Sequence, residues 1–324
     1  MRTSSGPAFV KLEATGNDFV VVDETGLEPA LPELQRRLIC DRHKGVGADG
    51  VLTILPSRDD VHAIVAGVRQ AARFRMHITN PDGSVPEMCG NGLRCVARHL
   101  AETGRIPVGT EIVVDTDAGA RVVTVADDLS AVTIDMGVAD FLSPRQFTPS
   151  LLRAAFDVEE LSVEEKPALG FVADAKRLRG GRGTFPTGQA LGVQATTVSM
   201  GNPHLVLEVD ALPDVATASR LGRQLEFDRA RFPERTNIEW VVDSGGKGIG
   251  DVDVVVWERG AGLTQACGTG ACAVIAALVR AGRRQSGTTT CHLPGGPLAI
   301  TVSSLTAPIF MRGPVRRAFA GTWS

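Results

Sequence analysis

The chain has 324 residues, enough for one large or two ordinary domains around a buried core. Hydrophobic residues make up 43 % and charged residues 22 %, which excludes a disordered chain. The net charge is -3 with both signs mixed along the chain, so nothing points to nucleic acid, and no run of about eighteen apolar residues points to a membrane.

In chain order, Val10 to Val22 reads as strand, broken by the polar knot Thr15-Gly16-Asn17-Asp18. A turn around Gly26 to Pro32 precedes a short amphipathic helix, Glu33 to Cys40. The glycine-rich loop Gly45 to Gly50 leads into a strand from Val51 to Leu55. Residues 56–75 give an ambiguous pattern. Arg75 to Thr79 is strand-like, and Asn80-Pro81-Asp82-Gly83-Ser84 is a strong turn signal. After Cys89-Gly90-Asn91-Gly92 a helix runs from Leu93 to Glu102 and ends at Gly104. Short β-rich segments follow at Glu111–Asp115, Arg121–Val125 and Ala131–Met136. Residues 150–191 read as a helix plus exposed loops, with a basic patch at 176–182 that is a solvated loop rather than an anion site.

The second half repeats the plan. Thr196–Ser199 is strand and runs into another polar knot, Met200-Gly201-Asn202-Pro203-His204. Strands follow at Leu205–Val209, Asn237–Val242 and Val252–Trp257. Cys267-Gly268-Thr269-Gly270 then opens a helix from Ala271 to Ala281, ended by Gly282. Leu298–Val302 and Pro308–Arg312 are β-like.

Cysteine usage sets the compartment. The six cysteines contain no C-x-x-C pair, and a chain of this length needs no disulfide staples. The first residues hold no apolar core of signal-peptide length. A reducing cytoplasm is therefore expected. C-x5-C and C-x4-C are poor zinc spacings, so no metal is expected. Cys40, Cys95, Cys272 and Cys291 read as inert small hydrophobes.

The repeat carries the functional reading. Met88-Cys89-Gly90-Asn91-Gly92 and Ala266-Cys267-Gly268-Thr269-Gly270 are each Cys-Gly-polar-Gly followed by a small-residue helix. Each half also has an upstream knot with an asparagine, Asn17 or Asn202. Glycines let backbone amides approach a ligand closely. The first N–H groups of a helix lack internal partners, carry partial positive charge and bind carboxylate. The same field is expected to lower a cysteine's pKa toward neutrality. Two such elements suit inversion at a carbon that bears a carboxylate: a thiolate removes the proton from one face and a thiol delivers one to the other. The alternative for Cys89 and Cys267 is a structural pair or a disulfide between the halves. Gly45 to Gly50 lacks the Lys-Ser/Thr ending of a P-loop and reads as a tight turn. His204, following Asn202-Pro203, reads as near the site rather than as a core histidine.

At these residues the sequence resembles the diaminopimelate epimerase family of the PLP-independent amino-acid racemase fold. The resemblance covers nearly the whole chain. It rests on Gly16-Asn17-Asp18-Phe19, Asp41-Arg42-His43 with Gly45-Val46-Gly47-Ala48-Asp49, Asn80-Pro81-Asp82-Gly83-Ser84 and Glu87-Met88-Cys89-Gly90-Asn91-Gly92. It continues through Met200-Gly201-Asn202-Pro203-His204, Glu258-Arg259-Gly260 and Ala266-Cys267-Gly268-Thr269-Gly270.

The resemblance implies an α+β fold of two pseudo-symmetric domains, each a barrel-like sheet around a central helix, with the active site in the cleft between them. Residues 1–136 with 311–324 would form one half and residues 137–310 the other. It implies interconversion of LL- and meso-diaminopimelate, precursors for lysine and peptidoglycan, with no cofactor. Cys89 and Cys267 would be the acid–base pair, and Gly90, Asn91, Gly268 and Thr269 would hold the reacting carboxylate. Asn17, Asn80, Asn202, Asn237, Glu258 and Arg259 would surround the substrate, with His204 orienting the reacting end. Arg259 suits the distal carboxylate as a bidentate cation.

The sequence departs from the family at Leu263, commonly Glu, and at Gly50, often Gln. It carries extra residues near 56–75 and 150–191 and no tyrosine. An epimerase or racemase of the same family acting on another amino acid stays open, as does a non-catalytic amino-acid-binding protein. The expected partner is a small amino-acid substrate; a homodimer is an open possibility.

Overall fold

The computed structural model describes residues 6–26, 30–142, 194–243 and 250–323. The readings made for residues 150–191 lie outside the described residues. The chain divides into two compact units, Met1–Asp135 with Arg312–Ser324, and Met136–Met311. The elements run β1 (Ala8–Ala14), β2 (Asn17–Asp23), α1 (Glu33–Cys40), β3 (Gly50–Pro56), β4 (His62–Val65), β5 (Val68–Ala71), β6 (Phe74–Thr79), α2 (Gly90–Glu102), β7 (Glu111–Thr116), β8 (Gly119–Val125) and β9 (Ala131–Asp135). They continue as β10 (Gln194–Ser199), β11 (Pro203–Glu208), α3 (Val215–Glu226), β12 (Asn237–Val242), β13 (Val252–Glu258), β14 (Gly262–Thr264), α4 (Gly268–Arg280), β15 (Gly287–Leu293), β16 (Gly296–Val302), β17 (Ile309–Pro314) and β18 (Arg316–Thr322).

In the first unit the polar knot is the turn of a hairpin rather than a break in one strand. Ala14 pairs with Asn17, and Thr15 and Gly16 between them have φ of 52° and 83°. Two left-handed residues match the twist of a two-residue hairpin loop. Glycine takes that conformation freely; Thr15 is held there by Arg94, which donates to its Oγ1 at 2.9 Å. β2 and β3 are parallel, so the chain needs a crossover, and α1 supplies it.

The sheet order is β9-β8-β7-β6-β3-β2-β1-β18. Helix α2 packs against β9 and β8 near one end of that order and against β2 and β1 near the other. A sheet can touch one helix from both ends only by curling round it. The helix fills the middle with Leu93, Cys95, Val96, Ala97 and Leu100, all buried. Each fully buried large apolar side chain stabilises the fold by roughly 1.5–3 kcal/mol.

The second unit is built the same way, in the order β10-β11-β12-β13-β15-β16-β17 with β14 beside β13. Helix α4 packs against β16 and against β10, β11 and β12. From β1–β2 and again from β10–β11, neighbours pair antiparallel, parallel, antiparallel, parallel, antiparallel. The two units therefore share a topology as well as a cysteine motif.

Strands β4, β5, β14, β15 and β18 and helix α3 go beyond the sequence reading. Within residues 56–75, β4 and β5 form their own hairpin, turned at Ala66 and Gly67 with φ of 48° and 80°. Helix α3 occupies the crossover from β11 to its parallel neighbour β12, the place of α1 in the first unit. Asp214 caps it, accepting from the Thr217 amide at 2.7 Å. Ala218, Leu221 and Leu225 bury one face in a core with Trp240 and Trp257.

Candidate active site

Cys89 is the N-cap of α2. Its backbone is extended (φ -139°, ψ 114°) and its Sγ accepts from the Gly92 amide at 3.3 Å. The thiol thus occupies the place that Ser, Asp or Asn usually fills, satisfying an amide at the start of the helix. Gly90, Asn91 and Gly92 are already the first turn, so the helix begins earlier than the sequence reading at Leu93. A Cβ at Gly92 would lie 2.9 Å from Leu52 Cδ2, so a larger residue there would have to displace that side chain.

Asn91 is buried and links inward. Its Nδ2 donates to Asn17 Oδ1 at 2.5 Å, and its Oδ1 accepts from Arg94. Asn17 Nδ2 donates to Asp49 Oδ2 at 3.1 Å, and the Asp18 amide donates to the same oxygen at 3.1 Å. Arg94 has no exposed surface, and its bonds go to neutral oxygens: Asn91 Oδ1, Thr15 Oγ1 and the Pro314 carbonyl. Burial lowers its pKa to about 10, which leaves it a cation at neutral pH. Asn80 is held in its own turn; its amide donates to the Ser84 carbonyl and its Nδ2 to Ser84 Oγ, each at 2.9 Å.

Cys267 is the N-cap of α4 in the same extended conformation (φ -117°, ψ 114°), and its Sγ accepts from the Gly270 amide at 3.4 Å. Thr269 Oγ1 lies 3.3 Å from the sulfur. Here too the glycines belong to the helix. A Cβ at Gly268 would meet Met311 Sδ at 2.8 Å, and one at Gly270 would meet Glu239 Oε1 at 2.7 Å.

The expected lowering of the thiol pKa does not hold at Cys267. Burial raises it well above the usual thiol range, and the carboxylates of Glu258 and Glu239 add to the rise. A buried thiolate beside two acidic side chains is disfavoured by desolvation and by repulsion, and the helix N-terminus does not offset both. Glu258 hydrogen-bonds Cys267 and accepts from Thr264 Oγ1 at 2.5 Å; burial raises its pKa.

The remaining second-half residues converge. Asn202 Nδ2 donates to Thr269 Oγ1 at 3.4 Å, and its Oδ1 accepts from His204 Nε2 at 3.0 Å. His204 is fully buried but reaches the site through Asn202. Asn237 Nδ2 donates to the Pro203 carbonyl at 2.8 Å, and its Oδ1 accepts from the Arg259 amide at 2.9 Å. Arg259 Nη1 donates to the Glu234 carbonyl at 2.9 Å, which fixes one arm of its guanidinium. Leu263 lies opposite Trp257 in the β13–β14 pair and packs on that apolar core.

The structure adds residues that the sequence reading did not single out as site members: Asp49, Arg94, Glu239 and Thr264. A signal existed for two of them. Arg94 stands among the buried apolar residues Leu93, Cys95, Val96 and Ala97, and Glu239 interrupts the buried strand Asn237–Val242.

The family model for diaminopimelate epimerase matches residues 9–142 and 196–318. A protein of Desulforudis audaxviator named diaminopimelate epimerase is 39 % identical over 318 residues, covering 97 % of this chain and 98 % of the relative. Another so named, from Acaryochloris marina, is 37 % identical over 97 % of this chain and 98 % of its own length. Among solved structures, a predicted epimerase of Pseudomonas aeruginosa matches with a TM-score of 0.63 at 17 % identity, covering 98 % of this chain and 99 % of that one. A hydroxyproline epimerase of Agrobacterium vitis matches with a TM-score of 0.59 at 16 % identity, covering 99 % of this chain and 93 % of its own. These two likenesses concern the fold.

Proposed function

This chain belongs to the diaminopimelate epimerase family, and on that premise we propose that it interconverts LL- and meso-diaminopimelate without a cofactor, using Cys89 and Cys267 as the acid–base pair. The observation that carries the mechanism is the doubled cap. In each unit a cysteine, rather than a hydroxyl or carboxylate residue, caps the helix and accepts from the amide three residues on.

The proton balance is simple. One thiolate takes the Cα proton and the other thiol gives one back on the opposite face, so net charge is unchanged. Burial, Glu258 and Glu239 favour the thiol form of Cys267, and each cysteine serves as base in one direction and as acid in the other. The carboxylate of the reacting end accepts from the first amides of α2 and α4, at Gly90, Asn91, Gly268 and Thr269. The negative charge that develops on proton removal is stabilised there. Asn17, Asn80, Asn202 and Asn237 supply amides to the two zwitterionic ends, Glu258 accepts from an ammonium, and Arg259 takes the distal carboxylate. The product feeds lysine and peptidoglycan synthesis in the cytoplasm, where the thiols stay reduced.

The test is proton exchange followed by NMR in D2O, with LL-diaminopimelate and a panel of other amino acids. Deuterium at Cα of diaminopimelate with inversion is the expected result. Exchange into a different amino acid would keep the two-thiol chemistry and move the substrate; no exchange with any would leave a binding protein.

A further inference from the structure

Glu239 stands in the middle of β12, a strand whose residues Asn237 to Val241 are all buried. It is fully buried itself, and so is His204, on the neighbouring strand β11. Their side chains meet at 2.7 Å, Nδ1 against Oε1. The other ring nitrogen, Nε2, faces Asn202 Oδ1 at 3.0 Å. The Asn202 amide nitrogen faces Thr269 Oγ1, which lies 3.3 Å from Cys267 Sγ. A continuous line of hydrogen bonds thus runs from a buried carboxyl to the thiol at the cap of α4.

The line has a direction. An imidazole that keeps a proton on only one nitrogen must be told which one, and its partners decide. Glu239 shares one proton with Nδ1. The Asn202 carboxamide turns its oxygen toward Nε2, a geometry that calls for a proton on Nε2, donated to Asn202 Oδ1. That donation in turn fixes the Asn202 carboxamide with its NH2 toward Thr269. Without Glu239 the ring can place its proton on Nδ1, leaving Nε2 an acceptor, and Asn202 is then free to turn its amide toward the ring.

We propose that Glu239 is a positioning residue of this enzyme, acting through His204 to hold Asn202 and Thr269 in register with Cys267. The inference rests on the epimerase reading above for the identity of the reaction, but not for the state of the ring. It also explains the glycine at 270, where any Cβ would press on the same carboxyl.

The experiment compares Glu239→Leu with Glu239→Gln, each at its own optimum pH, and reads the ring of His204 by nitrogen–proton NMR, assigned against His204→Gln. Glutamine can still donate to Nδ1 and keep the proton on Nε2, so it should retain kcat within a few-fold. Leucine should lower kcat on the order of 100-fold, the scale expected when a reacting group is misplaced, with KM changing far less. In the unsubstituted chain and in Glu239→Gln, Nε2 should carry a proton; in Glu239→Leu the proton should be found on Nδ1 as well. The proposal is overturned if Glu239→Leu keeps its kcat or if Glu239→Gln falls as far as Glu239→Leu. It is also overturned if Nε2 of the unsubstituted chain is unprotonated. That last readout needs no turnover, so it separates failure of this inference from failure of the epimerase reading.

Discussion

Arg94 donates to the carboxamide oxygen of Asn91 one turn earlier on the same helix, with both side chains buried. The guanidinium has no carboxylate partner among the described residues, so its charge is spread over three neutral oxygens. Replacing it removes donors from acceptors on two buried residues, Asn91 and Thr15. Arg94→Met should therefore lower stability by about 2–4 kcal/mol and reduce turnover, because Asn91 and Asn17 lose their fixed orientation. Arg94→Lys keeps the charge but not the planar fork, so it should recover only part of either loss. Urea denaturation and initial rates on the same preparations check this; a Met variant as stable and as active as the parent would exclude the role.

Removal of either thiol separates catalysis from binding. Cys89→Ala and Cys267→Ala should each reduce kcat by roughly 100-fold or more, the scale of a lost proton-transfer group. Substrate binding, followed by calorimetry, should survive in both. Unimpaired turnover in either variant would remove that cysteine from the mechanism.

The thiol at Cys267 should be slow to alkylate at neutral pH, because burial and then Glu258 and Glu239 hold it protonated. Glu239→Gln removes an ionisable carboxyl that disfavours the thiolate, so its alkylation profile should move to lower pH. Mass spectrometry after timed exposure to iodoacetamide over a pH series gives the profile. An unchanged or upward-moving profile would contradict the assignment.

Asp18 gives a pH dependence of stability. Burial raises its pKa, but hydrogen bonds and charge from Arg42 and Lys11 outweigh that and lower it to about 2. An unfolded aspartate titrates near about 3.9. The folded value is the lower one, so Asp18 contributes stability that is fully present above about pH 4 and lost as pH falls through about 2. Asp18→Asn should thus destabilise at pH 7, by on the order of 1 kcal/mol given partial exposure, and the difference should close as acid approaches pH 2. Parallel denaturation curves with a constant gap across that window would refute it.

Gly222 faces the ring of Trp257, where an added Cβ would sit 2.4 Å from Cδ2. The ring cannot step aside freely, because its Nε1 donates to Glu226 Oε2 at 2.8 Å. Gly222→Ala should therefore destabilise despite alanine's better helix propensity, by about 1–3 kcal/mol. A rise in melting temperature would mean that the core relaxes more easily than this packing suggests.

Much of the fold was legible because its signals are local. Apolar runs, the turn residues after Thr79 and the two Cys-Gly-polar-Gly segments each depend on a few consecutive residues. The hairpin at 62–71 and helix α3 were not read. The hairpin's strands are short and largely exposed, so they carry little apolar alternation. For α3 a signal was present in the Asp214 cap and the spacing of Ala218, Leu221 and Leu225, but it lay between stronger strands.

The sequence by itself determined the two capped helices and the cysteine at the head of each, because a cap is made by residues three apart along one chain segment. Only the tertiary structure decided how the caps differ. Cys89 heads a helix stabilised from within by a buried cation, Arg94, while Cys267 heads one that rests on the carboxyls of Glu239 and Glu258 from β12 and β13. Burial and electrostatic fields depend on groups that are close in space but distant in the chain. Two nearly identical motifs can therefore stand in different surroundings, and no reading of the motif alone separates them.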